Sequence, residues 1–224
     1  MIDLHTHTIL SDGELLPSEL ARRADEIGYK VIAFTDHVDF SNVDDIVPAL
    51  VRVCEKINMN FRIKTIPGVE ITHANPVDIP IIAKIAKNLG AKIIVVHGET
   101  IVEPVFKGTN RKALESDIDI LAHPGILSED EAKIASEKKI YIEISARKGH
   151  SLSNGHVVRL WYEYGFPLIL NTDTHSPENL ITDEFAKKII ISAGVKVEDV
   201  NKIFHNSYIL AKSKLDIGLG NINL

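Results

Sequence analysis

Residues 92–97 read Lys-Ile-Ile-Val-Val-His. Four consecutive β-branched apolar residues leave no polar face. A strand here must therefore be covered on both sides, as strands are inside a parallel sheet flanked by helices. The run is too short for an ordinary helix, and it ends on an imidazole. The same pattern recurs on either side of it. Residues 31–35 (VIAFT) run into Asp36-His37, and residues 118–122 (IDILA) run into His123. Residues 141–144 (YIEI) and 167–171 (PLILN) repeat it, the latter running into Thr172-Asp173-Thr174-His175. Residues 1–5 and 62–71, the second carrying Pro67-Gly68, complete about seven predicted strands.

Amphipathic stretches separate them. Helices are predicted over 17–27, with Pro17 in the first turn and Gly28 as the stop, and over 43–57. Others are predicted over 76–89 ending at Gly90, 129–138, 154–164, 183–193 and 198–212. The basic stretch between the strands at 92–96 and 118–122 reads as less regular. Short buried strands alternating with helices give an α/β fold, either a barrel or a doubly wound sheet. The thirty-two isoleucines of the chain suit such strands.

The 224 residues fit one domain, 1–224, with no internal repeat or linker. The single cysteine, Cys54, has no disulfide partner and reads as a buried thiol on a helix. A net charge of −6 argues against a broad surface for duplex nucleic acid. No apolar run reaches the roughly 18 residues of a membrane span, and no signal peptide is legible, so the expected location is cytoplasmic. The oligomeric state is not legible.

Six of the ten histidines fall just past predicted strand ends: His5 and His7, His37, His97, His123 and His175. In α/β barrels that face carries the active site. Asp12, Glu70 and Asp173 accompany them. Residues i and i+2 of a strand project to one side, so His5 and His7 can grip one ion together. Neutral imidazoles with a few carboxylates suit zinc, manganese or iron. A single strand-end histidine is more often a surface or core residue; six from five strands, with three carboxylates, point to metal. His73, His150, His156 and His205 lack this context and read as second-layer, exposed or structural residues.

The motifs D-L-H-T-H-T (3–8), T-D-H (35–37), G-V-E (68–70), V-H-G (96–98), A-H-P-G (122–125) and N-T-D-T-H-S (171–176), in this order, resemble the polymerase and histidinol phosphatase (PHP) domain family. The resemblance spans most of the chain. It implies a distorted seven-stranded (β/α)7 TIM-like barrel, three divalent ions and phosphoester hydrolysis. Carried over residue by residue, it puts one ion on His5, His7, Glu70 and Asp173. Glu70 would bridge to a second, completed by His97 and His123. Asp12, His37 and His175 would hold a third; many members have histidine where this chain has Asp12. The implied chemistry is in-line attack on phosphorus by a hydroxide shared between two ions, with Glu70, Asp173 and His97 at the catalytic centre.

A phosphate pocket also needs guanidinium or ammonium donors. Arg147 and Lys148 follow the strand at 141–144 and are the expected substrate contacts. Lys107, Arg111 and Lys112 form a second basic loop that either closes over substrate or faces water. Loops 38–48, 99–116 and 145–156 are expected to shape specificity. The favoured partner is a small-molecule phosphomonoester such as histidinol phosphate. The alternatives are a nucleotide phosphatase or single-strand nuclease on the same site, and a non-catalytic metal-binding regulatory module. An amidohydrolase barrel is disfavoured: those enzymes commonly bridge their metals with a modified lysine on the fourth strand, whereas here Glu70 ends strand three and the next strand carries His97 at its tip.

Overall fold

The computed structural model describes residues 1–215; the expected domain, 1–224, runs past them, and residues 216–224 lie outside the described residues. The strands are β1 (Ile2–Asp3), β2 (Val31–Phe34), β3 (His37–Val38), β4 (Lys64–Ile71), β5 (Ile93–His97), β6 (Ile120–Ala122), β7 (Tyr141–Ser145) and β8 (Leu168–Asn171). All pairings are parallel, in the order β1-β2-β4-β5-β6-β7-β8, with β3 also on β4. β2 and β3 keep one register against β4, from Val31↔Lys64 to Phe34↔Pro67 and then His37↔Glu70. They are one stave broken at Thr35 and Asp36. The break lies beside Pro67, which has no N–H to offer a ladder. Gly68 follows, where a Cβ would come within 2.8 Å of the Ile93 carbonyl and 2.9 Å of the Thr35 methyl.

Seven staves result, and the barrel nearly closes on itself. The Asp173 N–H donates to the His5 carbonyl at 3.0 Å, and the His7 N–H to that of Thr174 at 2.8 Å. Among the described residues eight helices surround it: α1 (Pro17–Glu26), α2 (Val43–Asn60), α3 (Ile79–Leu89), α4 (Thr109–Glu115), α5 (Glu129–Lys138), α6 (Asn154–Tyr164), α7 (Asp183–Ser192) and α8 (Val200–Lys214). Their ends follow local rules. Pro17 starts α1, Gly90 ends α3 at φ 109°, and Ser128 with Glu131 forms a capping box on α5.

The alternation of strand residues builds two apolar layers. Val31, Ala33, Ile66, Ile93, Val95, Ile120 and Ile169 fill the barrel. Ile32, Phe34, Ile94, Val96, Leu121, Ile142 and Leu168 face the helices. α8 adds Leu210 and Ala211 to the inner cluster. Its Lys214 ammonium donates to Asp119, one residue before β6, so α8 stoppers the end away from the histidines.

Two segments differ from the sequence expectation. The stretch read as irregular contains α4, whose few apolar residues give too weak a period to see. The strand expected to run unbroken to Thr35 resumes as β3, because its continuation depends on the register of β4 rather than on its own residues.

Cys54 lies buried on α2, and burial pushes its thiol up to about 12. At pH 8 it is almost wholly protonated and out of reach. An aromatic disulfide reagent should therefore leave native protein unlabelled over minutes and label one thiol per chain in denaturant. Rapid native labelling would contradict this packing.

Candidate metal centre

Strand alternation carries the site upward from the inner apolar layer. On β4 the inward set Ile66, Gly68, Glu70 ends on a carboxylate; on β5 the set Ile93, Val95, His97 ends on an imidazole. β3 places His37 beside Glu70. On the first stave the inward set shifts between Leu4, which packs in the inner cluster, and His5. The Asp3 carboxylate accepts the His5 N–H there at 3.3 Å. The expected i, i+2 pairing then holds, with the His5 and His7 ring centroids 5.1 Å apart. His123 and Asp173 sit just past β6 and β8 at φ 27° and 53°. This left-handed conformation costs a non-glycine residue about 1 kcal/mol or more and clusters at functional sites.

Three donor groups form around Glu70. His5 Nε2 lies 3.3 Å from Glu70 Oε1, and His7 Nε2 lies 3.6 Å from Glu70 Oε2 and 3.2 Å from Asp173 Oδ1. On one side His123 Nε2 is 3.4 Å from Glu70 Oε1, grouped with His97 and His150. On the other, Asp12 Oδ1 is 3.4 Å from His37 Nε2 and 3.1 Å from His175 Nε2, beside His7.

Most rings are anchored through Nδ1, which turns Nε2 to the centre. His5 Nδ1 meets Glu143 Oε2 at 2.8 Å, and Asn171 Nδ2 donates to the same oxygen at 2.9 Å. His37 Nδ1 meets the Thr72 hydroxyl at 2.6 Å, His150 Nδ1 that of Thr100 at 2.7 Å. His97 Nδ1 and His175 Nδ1 face the carbonyls of Gly98 and Asp173 at 3.1 and 2.9 Å. Partners of this kind fix ring orientation at metal sites.

The donor set fits metal on a direct test. His5 Nε2, both nitrogens of His7, Glu70 Oε1 and His123 Nδ1 are buried without a hydrogen-bond partner. Buried polar atoms normally have one; lone pairs converging on a common point are satisfied together by a cation. Protonation follows suit. Burial works to raise Glu70 and Asp173, but the neighbouring imidazoles, His5 foremost, override it and hold both well below the carboxylate range. Burial and the nearby His37 lower His7 to about 3, leaving its ring a neutral lone-pair donor.

A cavity of about 390 Å³ opens above, lined by Asp12, Glu70, His97, Asp173 and His175 together with Arg147, His73, His150, Glu103 and residues of loop 38–42. The Arg147 guanidinium donates to the Asp173 carbonyl at 3.0 Å and abuts the His175 ring. Lys148, expected beside it, is exposed and does not line the cavity, because the chain turns through Gly149 at φ 95° immediately after it. Lys107, Arg111 and Lys112 also lie off the cavity lining; Arg111 pairs along α4 with Glu115 at 2.7 Å.

The sequence reading passed over four residues. Glu143, the one acidic residue inside YIEI, holds His5. Asp36 of the T-D-H motif accepts from the Thr8 and Ser11 N–H groups and both hydroxyls, at 2.7–3.1 Å. It thereby fixes the loop that presents Asp12. His150 is buried in the cluster, and Glu103 reaches His97 Nε2 at 2.9 Å. Glu143 and Asp36 carried a signal, charge inside or against an apolar run; His150 and Glu103 carried none. His156 Nε2–H donates to the Leu127 carbonyl at 2.7 Å, a structural role.

The model of the PHP domain family matches residues 3–121. An uncharacterized protein of Methanocaldococcus jannaschii is 47% identical over 206 residues, 91% of this chain and 94% of the relative. A chain in the cryo-EM structure of archaeal ribonuclease P with mature tRNA is 16% identical with a TM-score of 0.73, over 99% of this chain and 98% of that one. Histidinol phosphate phosphatase from Lactococcus lactis, in complex with zinc, L-histidinol and phosphate, is 17% identical with a TM-score of 0.59, over 87% and 94%. The last two likenesses are likenesses of fold.

Metal-stripped protein given Zn²⁺ or Mn²⁺ at about a hundred times its dissociation constant should gain about 2.7 kcal/mol. For a chain of this size that raises Tm by roughly 5–10 °C. Glu143→Gln should weaken binding by about tenfold or more through the loosened His5 ring. Calorimetric titration giving wild-type affinity for the variant would remove Glu143 from the site.

Proposed function

The chain belongs to the PHP domain family, and we propose that it is a metal-dependent hydrolase of small-molecule phosphomonoesters. The observation that carries this reading is the charge of the cavity. Asp12, Asp39, Glu70, Glu103 and Asp173 line it, against the single guanidinium of Arg147. At about 6 Å and an effective dielectric of about 20, each carboxylate repels each phosphate charge by roughly 3 kcal/mol. Arg147, even joined by His37 and His97, which Glu70 and Glu103 draw above the usual imidazole range, still leaves the five carboxylates in excess. A phosphate dianion enters this cavity only when divalent cations fill the donor groups.

Three ions are assigned. The first takes His5, His7, Glu70 and Asp173; the second Glu70, His97 and His123; the third Asp12, His37 and His175. The donors suit zinc, manganese or iron. Bound ions of this kind supply Lewis-acid charge to phosphate oxygens and a hydroxide nucleophile at neutral pH. The residues do the rest. Glu70 lies between the first two groups and fixes their spacing. Asp173 and His7 hold the floor of the cavity. Arg147, pinned by the Asp173 carbonyl and the His175 ring, offers N–H donors to a non-bridging oxygen. Ser41, Asn42 and His73 line the outer part, where a leaving group lies.

The reported complex of the Lactococcus enzyme with zinc, histidinol and phosphate makes histidinol phosphate the first substrate to try. A phosphate-release panel should include it, nucleoside monophosphates and a single-stranded oligonucleotide. Turnover of monoesters over the oligonucleotide is expected, abolished by chelation and restored by Mn²⁺ or Zn²⁺. Activity that survives exhaustive chelation would sink the proposal. Full metal occupancy with no turnover on any phosphoester would favour a regulatory module. Arg147→Ala should cut kcat/KM by roughly 10–100-fold, the worth of a charge-assisted hydrogen bond; unchanged kinetics would free Arg147 of this role.

A further inference from the structure

Two side chains at the second donor group have no part in the ligand sets above. His150, on the turn between β7 and α6, is buried, and its ring stacks on His123 with centroids 4.1 Å apart at 14°. Thr100 holds its Nδ1 at 2.7 Å. Its Nε2 faces the cavity, 3.5 Å from Glu103 Oε1 and 3.7 Å from Asp173 Oδ2, at or beyond the limit of a hydrogen bond. Glu103, on the loop after β5, is half-buried and lies 2.9 Å from His97 Nε2 through its other oxygen. One carboxylate thus meets His97 at the end of β5, His150 on the turn after β7 and, at 3.5 Å, His73, with the His123 ring stacked on His150.

A proton does not satisfy this arrangement. A single proton on His97 completes the contact with Glu103 and leaves the buried His123 Nδ1 without a partner and His150 Nε2 no nearer than 3.5 Å to a carboxylate. A divalent cation near His97 can be reached from both overlapping groups, His97 with His123 and His150 and His97 with Glu103. With Glu70 the set is three imidazoles and two carboxylates, donors suited to a borderline ion. The potential ligand atoms of His97, His123 and His150 all lie within 4.8 Å of one another.

We propose that His150 and Glu103 are additional ligands of the ion held by His97 and His123, so that loops from β5 and β7 complete its coordination shell. This rests on the reading of the second ion under the proposed function. The two ligands differ in kind. His150 is fixed by Thr100 and the His123 ring, and is a permanent member. Glu103 sits on a loop whose neighbours Ile101 and Val102 are exposed, and its carboxylate is the ligand that yields to an incoming phosphate oxygen.

The test uses the whole chain, stripped of metal and reloaded with Co²⁺. Bound cobalt is counted by elemental analysis, affinity is measured in competition with a chromophoric chelator, and visible absorption reports coordination. Wild type is compared with His150→Gln, Glu103→Gln and His123→Ala. Each of the first two should weaken one cobalt by on the order of tenfold and change its visible band, leaving the other ions unaltered. His123→Ala should lose that cobalt outright. Glu103→Gln alters a half-exposed side chain and keeps the test open if a buried variant fails to fold. Wild-type affinity and spectrum in both His150→Gln and Glu103→Gln, with the cobalt lost in His123→Ala, would overturn this proposal alone. Retention of every cobalt in His123→Ala would instead overturn the second ion itself, and this proposal with it.

Discussion

Two wholly buried carboxylates set the terms for this molecule. Glu70 and Asp173 lie at the bottom of the mouth of the barrel, almost wholly buried beneath the cavity they line. Burying an uncompensated carboxylate costs several kcal/mol even after relaxation. Two of them in one small space repel each other as well. The chain answers with imidazoles from several strand ends, most of them turned by an Nδ1 anchor so that Nε2 addresses the centre, while His7 and His123 have no such anchor. Protonation offsets part of that cost: against burial, Glu143 and Glu70 hold His5 well above the ordinary imidazole range, and Glu70 pushes His37 up to about 10. Rings that stay neutral, like His7, cannot do so. They orient lone pairs, which are of use only with a cation between ring and carboxylate. The buried, unpartnered nitrogens of His5 and His7 are therefore the strongest sign of what the fold is built to hold.

The barrel supplies the precision. An apolar inner layer, from Val31 to Ile169, is topped by one ring of polar ends, and strand alternation makes each stave deliver one side chain inward at that height. Where simple alternation fails, the backbone bends to correct it. The first stave shifts by one residue at His5, and His123 and Asp173 adopt left-handed conformations. The second stave breaks opposite Pro67 and resumes to bring His37 beside Glu70. These irregularities lie at the site and not elsewhere in the sheet, as expected where local strain is held by packed surroundings.

This explains what the sequence could and could not reveal. Strand ends were legible because a parallel strand is apolar throughout, so the first polar residue after it announces the functional face. His97, His123 and Glu70 follow from that rule alone. Arg147 was within reach by the same reasoning, but Lys148 was not distinguishable from it, since the turn at Gly149 decides which side chain points inward. His150 and Glu103 lie on loops. Their approach to His97 is set by how two loops from separate staves fold over the mouth, and no period or spacing in the chain records that. The helix α4 escaped notice for a related reason: it is held by the strands it joins more than by its own weakly patterned residues.

The three donor groups are not equivalent, and the gradient among them has a direction. The first group is the most deeply buried, its four side chains lying at the base of the cavity, so an ion bound there would draw most of its shell from the protein. The third lies at the rim, where the Asp12 side chain is 55% exposed and that of His37 25%. An ion there keeps part of its hydration. Asp12 sharpens the contrast, because an oxygen donor in place of an imidazole adds charge and favours harder ions. It is presented by a loop that Asp36 ties down, so the openness of this group reflects its place at the rim rather than slackness. Arg147 touches His175 on the same side. The guanidinium and the open cavity thus coincide with the most exposed of the three donor groups.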